Sequence, residues 1–322
     1  MADLVPGQYD GHHQWGVVAI HGSEESVFIP VGRRDGTDNP FPSVWRCYYN
    51  AFGGCLMPIL TGTYQDPQLH NDWTAIYRDN ALQQRFNSEM LDRFLSFLQL
   101  RPGSVFLDAG CGRGDHAIRL LQRGYRGVGI DISGTVLRHA QEHVAVHCDE
   151  RSKFQLVRGC LEMLPFADCT FDFVHCRGVL MHVPDWKAAL TNLCRVLKPN
   201  GCVLVMENNE RSFQTKVLLA ARALIKTSSR MTRTKEGLEF WSVINGQPFL
   251  VRVANTEHIK ALIQDCGVKP LCMLSAGFFD IGRIPFSWAR NLAIEFNRAY
   301  AAAHLPARLS SGVALLGRKV AA

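Results

Sequence analysis

The sequence predicts a doubly wound α/β fold: a mostly parallel, seven-stranded sheet with helices on both faces, an N-terminal extension and helical cap insertions. Three observations predict it. From about residue 80, short apolar runs alternate with stretches of helical spacing. A glycine-rich turn at 110–114 joins the first of these runs to a helix. Two further apolar runs near the C-terminus bring the strand count to seven. Alternation at this spacing calls for right-handed crossovers and therefore for parallel strands.

Residues 1–70 stand apart. They are rich in Gly, Pro and aromatics, including Trp15, Phe28, Phe41, Trp45, Tyr48, Tyr49 and Phe52. Disordered segments are usually poor in aromatics, so this stretch reads as an irregular extension or lid packed on the domain of 71–322. The apolar runs 17–20 and 27–31 suggest a hairpin. Phe86, Met90, Leu91, Phe94, Leu95, Phe97 and Leu98 keep helical spacing, and Arg101-Pro102-Gly103 ends that helix. A buried strand at 105–107 follows, then a helix at 115–121 closed by Gly124, and a strand at 127–130. Ser133 caps a helix in which Val136, Leu137, Ala140 and Val144 share a face. Strands follow at 154–157 and 171–175. Leu190, Leu193, Val196 and Leu197 line a helix that stops at Pro199-Asn200-Gly201, ahead of a strand at 202–206. Residues 208–255 interrupt the alternation as a cap insertion. A helix at 256–266 and a strand at 268–274 resume it. A second insertion, about 280–310, holds a helix at 288–302, and a strand at 312–320 closes the sheet.

Apolar residues make up 47% and charged residues 20% of the 322, the balance of an ordinary globular enzyme. The net charge of +6 is spread along the chain, without the clustered basic face of a nucleic-acid binder. No secretory leader or membrane-spanning run is evident, and eleven scattered cysteines without a C-x-x-C pair read as reduced thiols. The expectation is a cytoplasmic protein with neither membrane nor nucleic-acid partner.

The glycine turn reads Leu107-Asp108-Ala109-Gly110-Cys111-Gly112-Arg113-Gly114-Asp115. Glycines between a strand and a helix let a ligand approach the backbone closely. A dinucleotide fingerprint places its third glycine where Asp115 stands, which disfavours an NAD-type oxidoreductase. Asp108 precedes the turn, and a carboxylate there suits a ligand with cationic groups. Asp131, at the end of the next strand, is placed to accept hydrogen bonds from ribose hydroxyls.

V-F-L-D-A-G-C-G-R-G-D followed by G-V-G-I-D-I-S resembles the first two motifs of the class I S-adenosylmethionine-dependent methyltransferases. The resemblance continues through R-G-C-L-E-M-L-P-F, F-D-F-V-H-C-R-G-V-L-M-H-V-P-D and L-K-P-N-G-C-V-L-V-M-E, covering about residues 80–207. It implies S-adenosylmethionine as cofactor. Asp108, Gly110, Cys111 and Gly112 would then form the turn at its methionine and ribose part. Asp131 would hold the ribose, Ile132 would pack on adenine, Leu161 would contact adenine through its backbone, and Cys176 would lie near the methionine. Many relatives carry Asp where this chain has Cys160, so Glu162 or backbone would take the adenine amino group.

Methyl transfer is an in-line displacement on an already activated sulfonium, so the protein supplies positioning and, for oxygen acceptors, proton removal. His182, after the fourth strand, is the candidate base. Glu207 and Asn208, past the fifth strand, are candidate acceptor-binding residues. His175 alternates within its strand and reads as a core or interface histidine. No hard-metal constellation stands at the sheet's mouth; the His139, His143 and His147 stripe reads as a helix flank rather than a zinc site. Lys and Arg residues at 211–235 suit either an anion-binding cap or a solvated face. Trp241, Phe249, Phe278, Phe279, Phe286 and Trp288 suit either an apolar substrate pocket or core. The expected activity is methylation of an O or N atom of a small molecule. The alternatives are a protein or RNA methyltransferase and an inactive S-adenosylmethionine-binding scaffold.

Overall fold

The computed structural model describes residues 4–6, 16–18, 27–29, 61–148, 153–224 and 230–321. The chain divides into two compact units, Met1–Tyr49 and Asn50–Ala322. In the first, β1 (Leu4–Pro6), β2 (Gly16–Val18) and β3 (Val27–Ile29) form a small antiparallel sheet, and β2 pairs β3 as the hairpin expected from the two apolar runs. The aromatics Trp15, Phe41, Trp45, Tyr48, Tyr49 and Phe52, and the lid they suggest, lie outside the described residues.

Among the described residues of the second unit, two helices come first, the single turn α1 (Thr61–Tyr64) within the expected extension and α2 (Pro67–Tyr77) across its boundary at residue 70. The start of α2 is written in Asp66-Pro67. The Asp66 carboxylate accepts the Gln68 N–H, and the proline occupies the first turn, where no backbone donor is needed. Asn80 caps α3 (Ala81–Leu98) through bonds from Leu82 N and Gln83 N. Phe86, Met90, Leu91, Phe94 and Leu98 of α3 are buried against the sheet.

The sheet follows as β4 (Val105–Ala109), α4 (Asp115–Leu121), β5 (Arg126–Asp131), α5 (Gly134–His147), β6 (Phe154–Arg158), β7 (Phe171–Arg177), α6 (Trp186–Arg195) and β8 (Leu197–Asn208). Ser133 caps α5 by accepting from Val136 N. After β8 come α7 (Phe213–Leu224), β9 (Arg230–Thr234), β10 (Gly237–Ile244) and β11 (Gln247–Ala254). Then follow α8 (Thr256–Asp265), β12 (Val268–Gly277), α9 (Ser287–Ala302) and β13 (Gly312–Lys319). The strand order is β12-β13-β8-β7-β4-β5-β6, parallel except for β13. From β4 the chain winds outward to β5 and β6, then returns to place β7 and β8 on the other side. The winding reverses at the carboxyl ends of β4 and β7, the crevice where open α/β sheets bind ligands.

The first insertion contains a helix, as expected, and also a second sheet of order β11-β10-β9. The hairpin β10–β11 turns at Asn245-Gly246, both at positive φ (50° and 77°), the conformation a two-residue turn needs and the pair of residues that tolerates it. Leu238, Leu250 and Val253 bury this sheet's inner face.

Candidate active site

A cavity of about 500 Å³ opens at the switch point. Its walls come from the strand ends, from α1 and α2, from β11 and from the segment after β12.

The glycine turn forms one wall. Gly110, Gly112 and Gly114 all take positive φ, 69°, 54° and 80°. A Cβ on Gly110 would lie 2.4 Å from Val179 Cγ2, so only glycine lets the turn pack under the loop after β7. The turn's amides are already engaged. Gly110 N and Cys111 N donate to Ile130 O, Gly114 N to Cys111 O, and Gly112 N to Asp131 Oδ2 at 2.9 Å. A pyrophosphate site needs such amides free, so this geometry argues against a dinucleotide in physical terms. Asp131 also accepts the Ser133 N–H at Oδ1, 2.9 Å, and burial pushes its carboxyl pKa up.

Beyond the turn lies a polar corner. Asp108 is 3% exposed, and its Oδ1 is 2.7 Å from His175 Nδ1; the two residues sit opposite each other in the β4–β7 register. The carboxylate accepts, so Nδ1 donates. Arg78 leans over Gly112, paired with Asp115 at 3.1 Å. Asp108 Oδ2 and Arg78 Nη1 have no hydrogen-bond partner among the described residues. An unmatched carboxylate oxygen and an unmatched guanidinium nitrogen in one corner suit the ammonium and carboxylate of an amino-acid moiety.

At the opposite end, Ile132, Cys160, Leu161 and Glu162 line the cavity together with Asp131. Leu161 begins a 3-10 turn, Leu161–Met163, held by Asn192 Nδ2 donating to Glu162 O at 2.8 Å. Burial raises the Glu162 pKa.

His182 lies in an aromatic box. Its ring centroid is 5.5 Å from Trp73, 5.8 Å from Tyr64 and 5.2 Å from Phe249. Nδ1 donates to Leu250 O at 2.8 Å, leaving Nε2 as the acceptor. Burial, foremost, and the nearby Arg252 lower its pKa to about 4, so it is a weak proton acceptor at neutral pH. The value lies below that of an unfolded histidine, so the unfolded chain takes up the proton first. This site's contribution to stability is complete above pH 6.5 and lost as pH falls towards 4, about 3 kcal/mol across the window. His182→Phe should therefore flatten the fall of the melting temperature between pH 6.5 and 4. An unchanged slope would show that His182 is not held neutral.

Glu207 is 3% exposed. Its Oε1 accepts from Val179 N at 3.0 Å and Leu180 N at 2.9 Å, fixing the loop after β7, and burial raises its pKa to about 7. Asn208 also lines the cavity, with Nδ2 3.8 Å from Met181 Sδ. Cys176 is fully buried and does not line the cavity, because strand alternation gives that face of β7 to His175 and Arg177.

Several lining residues were missed in the sequence. Tyr64, His70 and Trp73 come from α1 and α2, and the Leu69/Trp73/Tyr77 spacing after Asp66-Pro67 is the signal that marks an amphipathic helix there. His175, read as core, faces the cavity. So do His116 and Arg177, whose Nη1 lies 2.7 Å from His116 Nε2 and whose Nη2 donates to Asn87 Oδ1 at 2.7 Å. Phe249 and Val251 of β11 and Phe279 also line the cavity, whereas Trp241, Phe278, Phe286 and Trp288 do not. Arg252 ties β11 to the His182 loop. It donates to Leu180 O at 3.1 Å, Val183 O at 3.0 Å and Pro184 O at 3.4 Å, and pairs with Glu239 at 2.9 Å.

The histidine stripe on α5 is tied to backbone: His143 Nδ1 lies 3.1 Å from Arg113 O and His147 Nδ1 2.9 Å from His143 O. Among the described residues no group of three His, Cys, Asp or Glu is arranged to hold a metal ion. No helix among them is long and apolar enough to cross a membrane.

The family described as "Methyltransferase domain" matches residues 107–205. The demethylmenaquinone methyltransferase of Staphylococcus carnosus (strain TM300) is 35% identical over 184 residues, 55% of this chain and 73% of that relative. The chain belongs to the class I S-adenosylmethionine-dependent methyltransferases. The demethylmenaquinone methyltransferase of Shouchella clausii (strain KSM-K16) is 34% identical over 154 residues, and the chain spans 65% of its length. Among solved structures, magnesium protoporphyrin IX methyltransferase from Synechocystis PCC 6803, with bound SAH, superposes with a TM-score of 0.55 at 18% identity. That match covers 80% of this chain and 97% of the other. The [4+2]-cyclase SpnF gives 0.54 at 17% identity, covering 81% and 96%. These likenesses establish the methyltransferase fold; SpnF, named for a different reaction, illustrates that the acceptor chemistry has to be read from the site. The cofactor of this family is S-adenosylmethionine.

Proposed function

We propose that the chain transfers a methyl group from S-adenosylmethionine to an O or N atom of a small-molecule acceptor bearing an apolar ring. The cavity carries this reading. Cofactor-type residues line one part of it, and an aromatic wall of Tyr64, Trp73, His182 and Phe249 lines another. A volume of about 500 Å³ lies in the range of small-molecule sites and offers a polymer little purchase. The relatives named for demethylmenaquinone accord with a small-molecule acceptor.

In this reading Asp131 accepts the ribose hydroxyls with the lone pairs its two backbone bonds leave over. Ile132 packs on adenine, and the Leu161 backbone with Glu162 takes the adenine amino group in place of the aspartate that Cys160 replaces. Asp108 and Arg78 hold the methionine ammonium and carboxylate. The bound sulfonium supplies a methyl group already activated for displacement. Proton removal from the acceptor falls to His175, whose ring is oriented by the bond from Nδ1 to Asp108. His182, the base expected from sequence, serves as wall and as a link to β11. Glu207 holds the loop on which that wall stands.

The test measures S-adenosylhomocysteine formed from S-adenosylmethionine with a panel of small phenols, quinols, carboxylic acids and amines, alongside protein and RNA fractions of a cell extract. Turnover with a small aromatic acceptor is expected. Turnover confined to the protein or RNA fraction would overturn the proposal.

A further inference from the structure

Arg177 is a charge without an ionic partner. Its guanidinium lies deep in the protein at the cavity floor, yet the side chain keeps part of its surface on the cavity. Among the described residues no carboxylate pairs with it. Its two bonds go to neutral groups, Asn87 Oδ1 and His116 Nε2. His116 must accept there, and burial together with Arg177 itself keeps that imidazole neutral. The two carboxylates whose charge reaches it bond to other groups, Asp115 to Arg78 and Asp108, through Oδ1, to His175. Arg119 adds a further cation near the floor; its bonds go to Asp115 O and the Gln84 side chain.

A desolvated guanidinium facing a cavity, with neutral partners only, is costly unless a ligand brings the counter-charge. The cavity's other carboxylates do not supply it: Asp131 and Glu162 line the other end, Glu207 is spent on the amides of Val179 and Leu180, and Asp280 pairs with Arg283 at 3.1 Å. The methionine carboxylate has its own cation in Arg78, above Gly112. His175 lines the same floor, so a proton leaving an acceptor hydroxyl for His175 Nε2 would leave its oxygen anion beside a guanidinium.

We propose that Arg177 forms a subsite for an ionised oxygen of the methyl acceptor, a carboxylate, phenolate or enolate. Asn87 and His116 hold the guanidinium in place. The subsite rests on the reading of the cavity as a cofactor and acceptor site, and narrows its acceptor to an anion.

The experiment is calorimetry in two stages. S-adenosylhomocysteine is first titrated into the protein; the absence of binding overturns the functional reading and the subsite with it. The complex is then titrated with 2-naphthoate and, separately, with its neutral analogue 2-naphthamide. We expect naphthoate to bind about tenfold or more tightly than the amide, as a charge-assisted bond allows. Arg177→Met should abolish that preference and Arg177→Lys retain part of it, with S-adenosylhomocysteine affinity unchanged in both, which also reports that each variant is folded. Equal binding of the two probes to the native complex overturns the subsite alone, as does a preference that survives Arg177→Met. Loss of S-adenosylhomocysteine binding in Arg177→Met, with a native melting transition, would assign Arg177 to the cofactor's carboxylate and overturn the proposal.

Discussion

Replacing Asp131 with alanine is expected to weaken S-adenosylhomocysteine binding by about 100-fold or more, read by calorimetry. Two effects add. Two charge-assisted bonds to the ribose hydroxyls are lost, each worth about 1.5–3 kcal/mol, and tenfold in affinity is about 1.4 kcal/mol. Asp131 also ties Gly112 N and Ser133 N together, so its removal frees both the glycine turn and the start of α5. Asp131→Asn should be nearly as damaging. Its amide oxygen can replace one acceptor, but its NH2 would face a backbone N–H, donor against donor. Affinity within threefold of the native protein in either variant would remove Asp131 from the cofactor site.

Gly110→Ala is expected to cost about 3 kcal/mol of stability or more, and with it cofactor binding. The residue holds φ at 69°, where an L side chain is strained by roughly 1–2 kcal/mol, and the added Cβ would lie 2.4 Å and 2.6 Å from the two Val179 methyls. The two causes separate in a double variant. Val179→Ala removes both methyls and leaves only the Val179 Cβ, 3.1 Å away. The pair Gly110→Ala/Val179→Ala should therefore recover the steric part and keep the backbone part. If Val179→Ala restores nothing, the collision is not the cause. Melting temperature and S-adenosylhomocysteine affinity read the outcome.

These residues show what the sequence carried openly. The turn 110–114, Asp131 and the Ser133 cap were legible because backbone conformation forces the residue type: positive φ calls for glycine, and an exposed helix start calls for an oxygen acceptor. The strand and helix alternation was legible for the same kind of reason, period against burial. The site's other half was not. Tyr64, Trp73, His182 and Phe249 meet from α1, α2, the loop after β7 and β11, and no local pattern records that they touch. His175 looked like core because it alternates with core residues. Only the parallel register that sets it opposite Asp108 turns it towards a partner. Arg177 stood in plain view at a strand end, but its missing counter-charge is a property of three dimensions. The Asn245-Gly246 pair is a hairpin signal in the sequence, but it does not record the third strand, β9, that completes the sheet.

Arg252 reaches from β11 to three carbonyls of the 180–184 segment. β11 carries the cavity-lining Phe249 and Val251, while the loop that includes Val179 and Leu180 rests on Glu207 and abuts the glycine turn through Val179. The two ligands thus lean on one shared beam. Whatever stiffness either gives it, the other need not supply, and thermodynamic linkage makes that gift equal in both directions. On the proposed reading, cofactor and acceptor would in this sense be each other's effectors, and a change in the β9–β11 sheet is expected to shift cofactor affinity without touching the cofactor.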